Sequence, residues 1–167
     1  MRKYKKILIL IFCLWNLNAC NSSENKIVID KKTCYRSKSK INTAKRTIPI
    51  VTIQDGDFEV FDYERYKENP KKADSDFYER LTFQISNTID SFFIKDQDLL
   101  TTDGIYEFHG GMKALANTDF RIKIGFIKGK KVGSDWLIEV SVGVVDKQKT
   151  DSVIQKISFS EIFKRCN

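Results

Sequence analysis

The sequence is poor in proline, histidine and cysteine, and it has no long hydrophobic run. Two prolines and eight glycines in 167 residues form no linker that would divide the chain, and no internal repeat is present. Only two cysteines remain for the folded domain, as discussed below, and together with the single histidine they cannot complete a four-ligand zinc site. The longest apolar run, from Ile7 to Trp15, is nine residues, whereas a membrane-spanning helix needs about 20. We therefore expect no metal, no cofactor and no transmembrane helix.

The first twenty residues have the pattern of an export signal. A basic head (residues 1–6) precedes the apolar run, and Leu17-Asn18-Ala19-Cys20 follows it. This last segment resembles the lipobox of bacterial lipoproteins, with Cys20 as the residue that takes the lipid. The resemblance covers only the leader, and it implies that residues 1–19 are removed and that acyl chains on Cys20 hold the protein on a membrane. The alternative is a simple secretory signal that leaves Cys20 unmodified.

The residue after the lipidation position indicates a destination. Asn21 is not an aspartate, which in the enteric sorting pattern resembles delivery to the outer membrane; the resemblance leaves open which face of it the domain occupies. Loss of four basic residues with the leader lowers the net charge from +7 to +3, with 25 basic and 22 acidic residues remaining. A charge of that size does not require a nucleic-acid partner, so we expect none.

The remaining cysteines form one possible pair. Cys13 is lost with the leader and Cys20 carries the lipid, which leaves Cys34 and Cys166. Because an exported chain meets an oxidising compartment, we predict a Cys34–Cys166 disulfide; two free thiols are the alternative. This bond would bring the start of the folded region to its C-terminus.

Charge and composition suggest two parts for the mature chain. Residues 20–46 are interpreted as the lipidated cysteine with a polar tether, and residues 47–167 as a single globular domain. From Lys31 to Arg46 there are seven basic residues and no acid. This segment is interpreted either as a contact with anionic lipid headgroups or as a solvated loop.

The apolar patterns predict an α+β fold. Segments 48–53 and 58–61 flank Asp55-Gly56, which favours a tight hairpin. A helix is predicted to begin at Asp76, because apolar residues from Phe77 to Phe93 recur at steps of about four. A strand over 81–85 is the alternative.

A three-stranded antiparallel meander is predicted for the C-terminal part. Its strands are 120–126, 136–144 and 153–159, with turns at 128–133 and 146–151. Before the meander we predict a short strand at 105–108, a turn at 109–111 and at most one helical turn at 112–116. The expected architecture is two layers, a sheet of hairpin and meander packed against one main helix.

Familiar catalytic patterns are incomplete in this chain. His109 has no placed nucleophile beside it, residues 125–131 fail the spacing of a phosphate loop, and residues 96–103 fail that of a calcium loop. The carboxylate pairs Asp55/Asp57 and Asp62/Glu64 remain candidates for glycan hydrolysis. We assign no catalytic, cofactor-binding or metal-binding residue.

Tyr63, Arg65 and Tyr66 are residue types enriched at interaction hot spots, although such residues also occur at the rim of a strand. The sequence therefore favours a non-enzymatic envelope binding protein, either an inhibitor or immunity-type protein or an accessory subunit of an envelope complex. An envelope glycan or peptidoglycan hydrolase and a purely structural lipoprotein are the alternatives.

Overall fold

The computed structural model describes residues 28–44, 50–68, 76–110, 120–146 and 152–166. These ranges contain nine strands and one short 3₁₀ helix, Asp96–Thr102. The strands are β1 (Val28–Ala44), β2 (Ile50–Asp55), β3 (Phe58–Glu68), β4 (Phe77–Ser86), β5 (Ser91–Lys95), β6 (Ile105–Gly110), β7 (Phe120–Val132), β8 (Asp135–Asp146) and β9 (Val153–Arg165). The leader (1–19), Cys20 and the segment 112–116 lie outside the described residues.

The strands form one sheet that closes on itself. Their order is β2-β1-β3-β4-β6-β7-β8-β9, and β9 pairs back with β1 in parallel through Cys34↔Lys164 and Tyr35↔Arg165. β5 lies beside β7 through residues 126–130, past the point where β6 ends its pairing with β7. The β1–β9 pairing joins the two ends of the strand path from β1 to β9, while among the described residues β2 pairs only with β1 and β5 only with β7.

The predicted α+β class, with its main helix from Asp76, is wrong. That region forms β4 and β5 instead. Residues four positions apart also lie on the same face of a strand. Phe83, midway between Leu81 and Ile85, is buried on that same face. The period of two therefore describes the segment, and the alternative strand over 81–85 is confirmed.

The predicted hairpin around Asp55-Gly56 is also wrong, although both of its strands exist. β2 and β3 do not pair with each other, because β1 lies between them and Ser39 faces Asp55 on one side and Phe58 on the other. The link between β2 and β3 crosses β1 closely, and the Gly56 amide donates to the Lys38 carbonyl at 3.1 Å. A Cβ at Gly56 would lie 2.5 Å from the Lys40 Cβ, so glycine permits the crossing.

The predicted tether does not extend to residue 46. Val28–Ala44 forms the 17-residue strand β1, in which Cys34, Tyr35 and Ile41 are buried. The many lysines of this segment mask its inward-facing residues in the sequence. The folded domain therefore includes β1 and does not begin at residue 47.

The predicted meander is present as β7, β8 and β9, which pair in order and antiparallel. The first turn is later than predicted, at Gly133 and Ser134, because residues 128–132 belong to β7. Most of the second turn, residues 147–151, lies outside the described residues. The predicted strand at 105–108 is also found, within β6.

The core fills the interior of the closed sheet with aromatic rings. The Phe61 ring lies 5.0 Å from that of Phe83, 5.5 Å from Trp136 and 5.7 Å from Phe163, measured between centroids. All four side chains are fully buried. Stacked and edge-on ring contacts of this kind add about 0.5–1.5 kcal/mol per pair beyond the burial of their area, so this cluster is the main packing centre.

The predicted disulfide joins Cys34 of β1 to Cys166, the residue after β9, with Cα atoms 5.1 Å apart. It lies at the β1–β9 seam that closes the sheet, and the Cys166 amide also donates to the Tyr35 carbonyl at 2.9 Å. Among the described residues there is no helix with the length and hydropathy needed to cross a membrane.

Candidate functional site

Strand pairing places side chains in rows across the outside of β1, β3, β4 and β6. Residues that are directly opposite in neighbouring strands share a face of the sheet. We call Lys32, Glu64, Arg80 and Glu107 the charged row, and Tyr66, Tyr78 and His109, with Asp30 at their end, the aromatic row. The two rows are adjacent, since their members are two residues apart on every strand.

Arg80 is the centre of an ion-pair network on this surface. Its Nε donates to Asp62 Oδ1 at 2.7 Å and its Nη2 to Asp62 Oδ2 at 2.6 Å, a two-pronged geometry that is among the stronger hydrogen-bonded pairs. Arg80 also lies 3.6 Å from Glu64 and 3.5 Å from Glu107. The hydrogen bonds that Arg80 donates to Asp62 raise the pKa of the Arg80 guanidinium further above its ordinary value.

This network occupies the Asp62/Glu64 pair that was a candidate for hydrolysis. The Asp62 side chain is only 6% exposed, and its Oδ1 also accepts a hydrogen bond from the Thr82 hydroxyl at 3.1 Å. Both Asp62 oxygens are therefore engaged in hydrogen bonds within the domain. Asp55 and Asp57 flank the crossing over β1 and are exposed. No group of three or more potential metal ligands occurs within the described ranges.

A second polar cluster lies on the inner face, near one end of the closed sheet. Glu79 is 1% exposed, pairs with the Arg65 guanidinium at 3.0 Å and accepts a hydrogen bond from the Tyr106 hydroxyl at 3.2 Å. Burial, together with the charge of Glu79, raises the pKa of Tyr106. Arg65 therefore compensates a buried carboxylate, which otherwise would be costly.

Strand alternation separates the three predicted partner-contact residues. Tyr63 points into the core, is 2% exposed and stacks on Phe159 with ring centroids 4.0 Å apart. Arg65 points the same way and is engaged with Glu79. Only Tyr66 is on the outer surface, where it is 42% exposed. Tyr63 is therefore a core residue.

The structure brings Tyr66 together with two residues that the sequence did not connect to it. Tyr78 lies directly opposite Tyr66 on β4, and His109 lies directly opposite Tyr78 on β6. The Tyr78 and His109 rings are 5.9 Å apart. Burial and the neighbouring Glu64 carboxylate raise the pKa of Tyr78 to about 12, so its hydroxyl is neutral at physiological pH. His109 is an exposed strand residue and does not form the predicted turn.

The other half of the closed sheet has a different outer surface. Of the ten large hydrophobic side chains that are exposed in the described ranges, seven belong to β5, β7, β8 and β9. Phe93, which is 60% exposed, packs against Phe126 with ring centroids 5.7 Å apart. Six of these seven, all except Ile154, form with the half-buried Phe126 a surface that we call the apolar face: Phe93, Ile124, Phe126, Val132, Leu137, Val153 and Ile162.

Gly143 holds part of the apolar face together. A Cβ at this position would lie 3.0 Å from Val153 Cγ2 and 3.6 Å from the Ile124 Cβ. The missing side chain thus lets Ile124 of β7 and Val153 of β9 approach each other across β8. Leu137 and Ile162 are directly opposite in register at the other end of this surface.

The basic segment from Lys31 to Arg46 is partly engaged within the domain. Lys31 pairs with Glu161 at 2.9 Å and Arg36 lies 3.8 Å from Asp62. Lys38 and Lys40 are exposed, while Lys45 and Arg46 lie outside the described residues. Comparison of the chain with protein-family models, with curated proteins and with solved structures finds no match.

Proposed function

We propose that the protein is a lipid-anchored, non-enzymatic binding protein of the bacterial cell envelope that engages a protein partner through its apolar face. Within this class it would act as an inhibitor or immunity-type protein or as an accessory subunit of an envelope complex. The observation that carries the proposal is the exposure of several large apolar side chains on one side of a closed sheet.

Sheet geometry makes that exposure informative. A sheet with one buried face normally alternates apolar residues inside with polar residues outside. In β7–β9 the inner positions are already filled by core residues such as Trp136, Ile138 and Val140, so the outer apolar residues are not needed to build the core. The apolar side chains lie toward the two ends of this surface, and Lys128, Glu139 and Ser160 form a polar register row between them. Clusters of exposed apolar side chains are typical of sites for protein partners.

The anchor would keep the domain near the membrane. Eight residue steps separate Cys20 from Val28, which reach at most about 28 Å when fully extended. A protein held at that distance meets membrane-associated partners at high local concentration. The Asn21 position favours the outer membrane as the site of attachment.

The arrangement of the carboxylates favours binding over hydrolysis. Asp62 and Glu79 are each neutralised by an arginine and hydrogen-bonded by a hydroxyl group. A glycosidase needs two carboxyl groups that reach the same glycosidic bond, whereas Asp62 and Glu79 lie on opposite faces of the sheet. Asp62 and Glu79 thus serve the domain's own stability.

The test is partner capture by the full chain in cells. Cross-linked complexes are isolated with the wild-type chain and with the double variant Phe93→Ser, Ile124→Ser; Leu100→Ser, which removes an equally exposed leucine outside the apolar face (41% exposed), is the matched control. A captured protein is then purified, and its Kd is measured for each variant. We expect the double variant to weaken binding by at least about tenfold, the scale of losing hot-spot residues, and the control to leave it unchanged.

Equal affinity of all three chains would contradict the assignment of the apolar face. Absence of any saturable partner, combined with loss of envelope integrity on deletion of the protein, would instead favour the structural lipoprotein. The anchor is tested separately: Cys20→Ser should move the protein from the membrane fraction to the soluble fraction.

A further inference from the structure

The aromatic row and the charged row form a second exposed surface, on the half of the sheet that lacks the apolar face. Tyr66 and His109 are exposed and Tyr78 between them is partly exposed. The residues belong to three successive strands, β3, β4 and β6, in direct register. None of them is part of the aromatic core inside the sheet.

The spacing of these rings suits an extended ligand. Neighbouring strands are about 4.8 Å apart, so three rings on adjacent strands span roughly 10 Å, which is about the length of a disaccharide. Aromatic rings offer an apolar surface with a polar tip, and the apolar C–H face of a pyranose ring stacks on such surfaces.

The neighbouring charged row supplies hydrogen-bonding groups along the same line. The Glu64 and Glu107 side chains keep 29% and 18% of their surface exposed beside Arg80. A carboxylate has about four acceptor sites, so each of these two can accept from a ligand hydroxyl while it remains near Arg80. Lys32, exposed at the end of the row, offers donors.

The charge balance of this surface identifies the kind of ligand. The charged row has two basic and two acidic residues, and Asp30 adds a further acid at the end of the aromatic row. Such a surface does not attract an anionic lipid headgroup or a nucleic acid, each of which requires excess positive charge. Stacking rings beside paired donors and acceptors match an uncharged ligand rich in hydroxyl groups.

We propose that the aromatic row, with Glu64 and Glu107 beside it, is a binding site for an uncharged glycan strand. In the envelope, the glycan of the cell wall would supply this ligand. This choice of glycan rests on the proposed location of the protein, whereas the preference for an uncharged glycan rests only on the chemistry of the site. The sugar rings stack on Tyr66 and Tyr78, and their hydroxyl or acetamido groups bond to the carboxylates. The site is separate from the apolar face, so one molecule can hold a glycan and a protein together.

The experiment uses the full chain with Cys20→Ser, so that no lipid is attached. Binding to N-acetylglucosamine oligomers of increasing length is measured by titration calorimetry, and binding to purified peptidoglycan by sedimentation. We expect saturable binding that Tyr66→Ala and Tyr78→Ala each weaken at least about fivefold, which is the lower end of the scale known for nucleobases stacked on aromatic side chains. Tyr66→Phe keeps the ring and should stay within about twofold of wild type by the same reasoning.

Two controls separate this site from the rest of the molecule. Phe93→Ser, Ile124→Ser disrupts the apolar face and should leave glycan binding unchanged, so the two proposals can fail independently. Tyr66 is exposed, so Tyr66→Ala should keep wild-type stability in urea unfolding and serves as the decisive variant if Tyr78→Ala unfolds.

Three results would overturn the proposal. The first is no saturable binding to either the oligomers or peptidoglycan. The second is an unchanged affinity for the glycan when Tyr66→Ala and Tyr78→Ala are combined in one chain. The third is binding to phosphatidylglycerol vesicles, with no binding to glycan, that the same variants abolish; the occupant of the row would then be a membrane surface.

Discussion

The two halves of the closed sheet have similar interiors and opposite exteriors. Inside, β3 and β4 contribute Phe61 and Phe83, while β8 and β9 contribute Trp136 and Phe163, and these rings pack on one another. Outside, β1–β3–β4–β6 bears the charged and aromatic rows, whereas β5–β7–β8–β9 bears the apolar face. One core therefore supports two surfaces with different chemistry.

The difference shows how charge is used in this domain. In the polar half, buried carboxylates are matched by arginines from neighbouring strands, as in Asp62–Arg80 and Glu79–Arg65. In the other half, ion pairs are exposed and long, as in Lys128–Glu139 at 3.8 Å. Exposed pairs contribute little to stability, so the stability of that half depends on packing.

The largest loss of stability is expected from a change at the β1–β9 seam, where the two halves of the sheet meet. β1 and β9 share only two register pairs, and the Cys34–Cys166 disulfide reinforces them. Because the bond closes a loop with a sequence separation of 132, Cys34→Ser, Cys166→Ser should lower the free energy of unfolding by about 4 kcal/mol. Urea unfolding measures the change. A loss under about 1 kcal/mol would show that the strand pairing alone holds the seam.

Removing Arg80 should damage the polar half specifically. Arg80→Ala leaves the buried Asp62 carboxylate without its main partner, so we expect a loss of about 3 kcal/mol, as for other broken buried pairs. Lys128→Ala is the matched control in the other half and should cost under about 1 kcal/mol, because its pair is exposed. Urea unfolding of both variants gives the comparison, and equal losses would contradict it.

Backbone geometry should be the sensitive feature of the apolar half. Gly125 has a φ of 105°, and a Cβ there would collide with the Ser141 carbonyl oxygen of β8. Gly125→Ala should therefore lower the unfolding free energy by about 2 kcal/mol. Gly133→Ala, at a turn with φ 64° and no atom within 4 Å of the added Cβ, should cost about 1 kcal/mol. Thermal or urea unfolding measures which of the two variants loses more stability. A larger loss for Gly133→Ala would be inconsistent with the Ser141 contact at Gly125.

The smallest expected effect is a change in pH dependence at Glu107. Burial raises the pKa of Glu107, and the Arg80 charge opposes that rise. The folded state therefore holds this proton more tightly than the unfolded state. Its stabilisation is complete below the ordinary glutamate pKa of 4.5 and is lost as the pH rises through the folded-state pKa.

Glu107→Gln should remove this pH-dependent contribution, which we expect to change the free energy of unfolding by under about 1 kcal/mol. Unfolding midpoints are compared between wild type and variant from below pH 4.5 upward. The decline of the wild-type stability with pH should be steeper than that of the variant. Parallel curves would show that burial does not perturb this carboxyl group.

The sequence predicts the meander because its signal is local. Trp136, Ile138, Val140, Val142 and Val144 alternate over nine residues, and no helix presents that period. The disulfide was predictable for another reason, since subtracting the leader and lipidation cysteines leaves one pairing. In β4, by contrast, apolar residues at steps of four satisfy both periods, and only the sheet environment decides between them.

The rows on the outer surface could not be predicted from the sequence. Tyr66, Tyr78 and His109 are 12 and 31 residues apart, and their alignment depends on the register of three strands. A shift of one residue would send each side chain to the opposite face. The same alternation moved Tyr63 into the core, although the sequence placed it beside Tyr66 in a single candidate cluster.

The long pairing of β1 with β3 has a mechanical consequence. Val28 to Arg36 lie opposite Glu68 to Val60 in nine consecutive register pairs. A pull directed along β1 from its N-terminal end would load these hydrogen bonds together in shear and would not open them one at a time. If the proposed anchor and partner pull on the domain along that strand, the long β1–β3 pairing would resist unfolding in that direction.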